Sequence, residues 1–213
     1  MNPEYVERMH GIIDLCLEPY DPKRPKVGID EKSLQLLKDT REPIPIKPGS
    51  SGKYDYEYKR NKTANIFVAV EPDAGRRKTK ATKNRKKDDF AHFVKELVDE
   101  DYKDAELVRI ILDNLNTHFE SSFYETFGKE EAERILSKIE FHYTPKHGSW
   151  LNVAELEINV MQSQCTGRRM KDMEFLVKEL KAWTKRRNDE KRKINWRFTK
   201  EKADEKLGRH YVA

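Results

Sequence analysis

FHYTPKHGSWLNVAELEI, residues 141–158, changes its period halfway through. Residues 139–143 mix apolar and aromatic side chains as a short strand does, and Pro145, Gly148 and Ser149 then mark a loop. Leu151, Ala154, Ile158, Met161 and Cys165 follow at the spacing of one helical face, which predicts a helix over 153–165. Strand, loop and a helix that opens on a carboxylate form the repeating unit of an alternating α/β domain. The same unit occurs upstream, where the compact apolar run LVRIIL at 107–112 ends at Asp113. It reads as a buried strand with a carboxylate at its C-terminal end.

The neighbouring segments extend this pattern. Residues 1–20 form an amphipathic helix broken by Pro19 to Pro25, so residues 1–25 read as a lead-in helix with its linker and 26–213 as one domain. Residues 27–37 are strand-like, and the proline- and glycine-rich stretch 43–52 is loop or edge. The alternating Tyr54, Tyr56 and Tyr58 signal a second strand and the apolar run 65–70 a third. Helices are predicted over 88–102, from Phe90, Phe93, Val94, Leu97 and Val98, and over 121–138 and 172–188. The order β-β-β-α-β-α-β-α-α predicts an α/β fold: a mixed sheet flanked by helices, its alternating half parallel.

With 213 residues, one substantial core is expected. The chain is 38% charged with a formal net charge of +5, a balance that suits a polyanionic partner. Cys16 and Cys165 make neither a disulfide framework nor a metal-ligand spacing, which fits a reducing compartment, and the expected location is cytoplasmic. No apolar run approaches the roughly 20 residues that span a bilayer, so no membrane partner is expected. Residues 75–87 carry Arg76, Arg77, Lys78, Lys80, Lys83, Arg85, Lys86 and Lys87 with no acid. Such a run is either a solvated hairpin or loop, or a phosphate-contact surface. A second basic stretch, 183–198, reads as the C-terminal half of the last helix and offers Arg186 and Arg187 to a DNA backbone.

Breaking or joining a phosphodiester requires an activated oxygen nucleophile, a stabilised leaving oxygen and neutralised charge at phosphorus; two divalent ions about 3.5–4 Å apart supply all three. Mg2+ and Mn2+ prefer oxygen ligands, so carboxylates from different elements have to converge. Asp30 in the first strand, Asp113 at the end of a buried strand and Glu155 in the first turn of a helix meet that need. Glu157 competes with Glu155, because two helical positions differ by about 200° and only one can face a site. Both flank the apolar stripe, and periodicity does not choose between them. Glu31, by strand alternation, points away from Asp30 and is expected at the surface or supporting the site. Asn152 or Ser149 is a natural cap for the Glu155 helix, and Asn152 is expected beside the site. Lys146 and His147 precede that helix start, where phosphate gains from the dipole, and join the expected DNA contacts. A zinc site from His118, His142 and His147 lacks ligand spacing, and no GxSxG elbow or phosphate-binding glycine loop is present.

Three blocks in order, VGIDEK (27–32), IILDNLNTHF (110–119) and 141–158, resemble the catalytic blocks of DDE transposases from bacterial and archaeal insertion sequences of the mariner-like group. The resemblance runs over residues 22–211. It implies a ribonuclease-H-like fold, with Asp30, Asp113 and Glu155 as the DDE triad holding two Mg2+ (or Mn2+) ions. It selects Glu155 over Glu157, although Val153-Ala154 stands where relatives carry Pro-Ile. Asn114 and His118 are implied to line the site. The implied reaction cuts transposon-end DNA and transfers the 3′ end to target DNA, with a second copy or a full-length transposase subunit as protein partner. Relatives carry an N-terminal helix-turn-helix region that residues 1–29 are too short to hold, so a truncated product or half of a split protein is expected. Two other readings are a stand-alone ribonuclease-H-like nuclease and a non-enzymatic DNA-binding remnant that inhibits a full-length transposase.

Overall fold

The computed structural model describes residues 1–211; the last two residues of the expected 26–213 domain lie outside them. Helix α1 (Pro3–Leu17) precedes strands β1 (Lys26–Asp39), β2 (Tyr58–Glu71) and β3 (Arg76–Thr82). There follow α2 (Lys87–Glu96), β4 (Val108–Leu112), α3 (Ser121–Phe127), α4 (Lys129–Leu136) and β5 (Ile139–Tyr143). Helices α5 (Val153–Met161), α6 (Met173–Asp189) and α7 (Lys200–Leu207) complete the chain.

The five strands lie in the order β3-β2-β1-β4-β5, and the sheet is mixed as expected. The long loop 40–57 returns β1 to β2 and the short turn 72–75 returns β2 to β3, each pair antiparallel, whereas β1, β4 and β5 are parallel because helices cross over between them. All five residues of β4 are buried, as a central parallel strand covered on both faces requires. One face packs Val27, Ile29, Val108, Ile110 and Leu112 against Phe90, Phe93, Val94 and Phe123 of α2 and α3. The other packs Leu36, Ile66 and Val68 against Ile158 and Met161 of α5 and Leu176, Leu180 and Trp183 of α6. At Gly28, β1 and α5 approach so closely that a Cβ would stand 2.7 Å from both Asn152 Oδ1 and Val153 Cγ2.

Several expectations are corrected. The count of strands before α2 is right, but the allocation is not. Residues 58–71 form one strand, Tyr54 and Tyr56 are exposed outside it, and the basic run, expected as hairpin or loop, supplies the third strand. Its alternation is one of partners: Arg77, Thr79 and Ala81 meet α5 and α6, while Lys78 and Lys80 meet acids of the α2 side. The helix expected over 121–138 is two, broken at Gly128, whose φ of 78° lies in the left-handed region. The last predicted helix stops at Asp189, so Lys191, Arg192 and Trp196 lie beyond it, and α7 was not anticipated. Helix α1 is no separate lead-in: Met9, Ile12 and Ile13 share a hydrophobic cluster with Ile111 of β4, Leu151 and Ala203 of α7.

Candidate active site

Parallel pairing between β1 and β4 ends at Gly28 and Ile111. Asp30 and Asp113 each lie two residues past that pair, where parallel strands part and ligands enter sheets of this kind. Glu155 reaches the same region from the first turn of α5. The helix is seated there by Asn152, whose Oδ1 caps it by accepting from the Ala154 N–H (3.0 Å) and whose Nδ2 donates to the Ile29 carbonyl (2.7 Å). Asn152 thus ties the start of α5 to the strand residue just before Asp30. Asn114 is exposed and donates to the Thr144 carbonyl (2.7 Å), joining the ends of β4 and β5. A cavity of about 700 Å³ opens on Asp113 and is lined also by Asn114, Lys146, His147 and Ser149, with Tyr5 and Arg8 of α1. His147 holds a φ of 65°, a conformation that non-glycine residues adopt at a cost.

Asp30 feels the other two carboxylates. Burial pushes the Asp30 carboxyl up to about 7; the Glu31 N–H, which donates to it at 2.7 Å, pulls the other way, and Glu31, Asp113 and Glu155 push it further up by like charge. Asp113 is held below the usual carboxylate range, chiefly by the His118 ring, whose Nδ1 stands 2.7 Å from Oδ1. Burial alone would lower His118, but its contacts with Asp113 and Glu31 outweigh that and raise it to about 9. Glu31 is not at the surface. Its side chain is 3% exposed, with Oε2 3.1 Å from His118 Nε2 and no formal hydrogen bond to either oxygen. The opposite face of β1 is roofed by α2 and α3, so pointing away from Asp30 means pointing inward.

Among the described residues, no three His, Cys, Asp or Glu side chains converge closely enough to hold a metal ion as they stand. The fit to a cation lies in charge and donor chemistry: hard oxygen donors from three elements, with repulsion that lifts Asp30 and that no nearby Lys or Arg cancels among the causes of its shift.

Glu157, the competitor of Glu155, has another occupation. It is 1% exposed and held by Arg77 (2.6 and 3.2 Å) and by Arg187 (3.1 and 3.2 Å). Two of the expected DNA contacts are therefore corrected, since Arg77 is buried and Arg187 is spent on the same carboxylate. Others in the basic run are paired within the fold: Lys78 with Asp101, Lys80 with Glu96, Lys87 with Glu125, and Arg76 with the Asp101 carbonyl. Lys83 and Lys86 are exposed and have no ion pair among the described residues; Arg85 stands 3.9 Å from Glu31. Lys146, His147 and Arg186 are exposed. The buried Arg77–Glu157 pair was missed because its members are 80 residues apart and neither sits in an apolar pattern of its own.

Residues 26–177, which take in the whole sheet and α5, match the family model of the DDE superfamily endonucleases. The chain belongs to that family. The solved structures similar to this DDE domain include the Mos1 strand transfer complex (TM-score 0.54, 14% identity, 87% of this chain and 55% of that one). The Mos1 transposase paired-end complex with left transposon end gives 0.54 and 16%, over 90% of this chain and 58% of that one. The Mos1 mariner paired end complex with Mn gives 0.53 and 15%, over the same shares. At these identities the likeness is one of fold, and the DDE domain is ribonuclease-H-like. It spans a little over half the length of those transposase chains. No curated protein sequence matches it.

Proposed function

We propose that this DDE domain is the catalytic part of a transposase that cleaves transposon-end DNA and transfers the 3′ end to target DNA. The observation that carries the reading is the approach of Asp30, Asp113 and Glu155 to the parting edge of β1 and β4 from two strands and a helix, with Asp30 raised by burial and by like charge. In this reading those three side chains hold two Mg2+ or Mn2+ ions, which when bound would polarise the scissile phosphate and activate the attacking oxygen. Asp30 supplies a carboxylate whose ionisation is suppressed until positive charge arrives. Asn152 fixes the reach of Glu155 from α5, and His118 fixes Asp113. Lys83, Lys86, Lys146, His147 and Arg186 are the proposed DNA contacts, because they remain exposed once the buried or internally paired cations are set aside. Backbone contacts of this kind position a duplex without reading its sequence.

Support for a divalent cation and for DNA also comes from likeness of fold to Mos1 complexes, one of which is with Mn and another with a left transposon end. The protein partner we propose is a second copy or a full-length transposase subunit, and the place of action the cytoplasm. No helix of the described residues is long and apolar enough to cross a membrane. The deciding experiment incubates the chain with supercoiled plasmid and a labelled 3′-hydroxyl duplex, with Mg2+, with Mn2+ or with EDTA. Metal-dependent nicking and joining, both absent in Asp113→Ala, is expected. Nicking without joining would reduce the reading to a stand-alone nuclease, and binding without either would leave a DNA-binding remnant.

A further inference from the structure

We propose that Glu31 is a positioning residue for Asp113, acting through the His118 ring. The inference rests on the reading of Asp113 as a ligand in the proposed site. His118 is 1% exposed and stands between two carboxylates, with Nδ1 2.7 Å from Asp113 Oδ1 and Nε2 3.1 Å from Glu31 Oε2. The ring is further confined by Phe90, whose centroid lies 4.6 Å away, and the His118 carbonyl accepts from the Tyr143 hydroxyl at 3.0 Å. Leu115 N–H also donates to Asp113 Oδ1 (3.2 Å), so both bonds fall on one oxygen and leave Oδ2 to the cleft.

Apart from a long ion pair with the exposed Arg85, Glu31 faces only the His118 ring. Its oxygens make no formal hydrogen bond among the described residues, and the Arg85 Nε is 3.9 Å away. A carboxylate buried at that cost needs a reason, and the reason available is the imidazole it faces. Groups that orient a ligand from behind typically matter 10- to 100-fold in metal affinity or activity. The Glu31 backbone also donates to Asp30 Oδ1 (2.7 Å), a bond that side-chain substitution leaves in place. The Glu31 charge also raises Asp30, and Glu31→Leu and Glu31→Gln both remove it, so the difference between these two variants reports on the His118 connection.

The test is Mn2+ binding, followed by the electron paramagnetic resonance of the free ion, together with plasmid nicking. Glu31→Leu, close in volume but without an acceptor, is expected to weaken Mn2+ binding by about 10- to 100-fold. Glu31→Gln, which still presents a carbonyl to Nε2, is expected to restore most of it. In a His118→Asn background, which keeps a donor near Asp113 but cuts Glu31 off, Glu31→Leu should add little further loss. Wild-type affinity in Glu31→Leu, or losses that multiply in the double variant, would overturn the proposal. If Glu31→Leu does not fold, shown by circular dichroism, His118→Asn decides alone: it must lose about tenfold or more, and wild-type affinity in it refutes the role. Failure of the proposed function looks different, because wild-type protein would then bind no Mn2+ that Asp113→Ala abolishes.

Discussion

Glu155 and Glu157 leave the same helix two residues apart and meet opposite circumstances. Glu157 goes into the interior, where Arg77 and Arg187 more than balance it and every charge has a partner. Glu155 goes to the strand edge, where it joins Asp30 and Asp113 and adds to the repulsion that lifts Asp30. A buried charge that is balanced within the chain serves the fold, whereas the like-charge repulsion at Asp30 is what the proposed cations would relieve. The contrast separates two carboxylates that periodicity alone could not.

The largest expected effect is on chemistry. Asp30→Ala, Asp113→Ala and Glu155→Ala should each lower metal-dependent cleavage on the order of 10³-fold, since losing a ligand forfeits several kcal/mol of charge stabilisation. The melting temperatures of Asp30→Ala and Glu155→Ala should hold or rise as repulsion at Asp30 is relieved, whereas Asp113→Ala, which takes a partner from the buried His118, should melt lower; near-wild-type cleavage in any of them would sink the site. Breaking the other region should do the reverse. Glu157→Ala leaves Arg77 buried without its counter-charge, at a cost of about 3–5 kcal/mol, read as a fall in Tm of roughly 10 °C. Cleavage per folded molecule should survive better than in Glu155→Ala, and the opposite ranking would mean that the two glutamates had been exchanged.

A smaller effect sharpens the contrast through pH. Asp30 is raised from 3.8 to about 7, so the folded state favours its protonated form, and that contribution, complete below 3.8, is lost as pH rises through about 7. His118, raised from 6.5 to about 9, contributes fully below 6.5 and loses that contribution as pH rises through about 9. Thermal melts in metal-free buffer should therefore show a decline contributed by Asp30 between about pH 4 and 7 and by His118 between about pH 6.5 and 9, with Asp30→Asn removing the first. A flat profile would contradict both shifts. The smallest effect concerns the basic surface: Lys83→Ala with Lys86→Ala should weaken binding to unrelated duplexes alike and lower the salt slope by about 1 per residue. Lys80→Ala, whose cation already faces Glu96, should change that slope less.

Much of the parallel half of the domain was legible because burial on both faces leaves a plain mark. LVRIIL ends in Asp113 and β4 ends one residue before it, and the Ile158 and Met161 stripe does face the sheet. The third strand was hidden because its four cations, part of a run of eight, look solvated, whereas the fold supplies acids on one side and Glu157 on the other. Polarity was read as exposure, and pairing at a distance of 80 positions has no local signature. Of the two places expected for Glu31, the surface fails for a related reason: with Val27 and Ile29 at alternate positions before it, it continues a core face. The Asp113 to His118 spacing was visible, but the two-sided use of the ring depends on Glu31, a residue from another strand.

Gly28 touches no phosphate and bears no charge, yet the room for a side chain there is already taken by Asn152 and Val153. A population of random variants screened for lost transposition should return this position alongside the carboxylates, and Gly28→Ala should appear among the inactive alleles. Such an allele would be recoverable by a second change that thins the opposing helix start, with Val153→Ala the first to try. Genetic suppression of that kind has no counterpart at Asp113, where nothing a neighbour gives up can replace an oxygen.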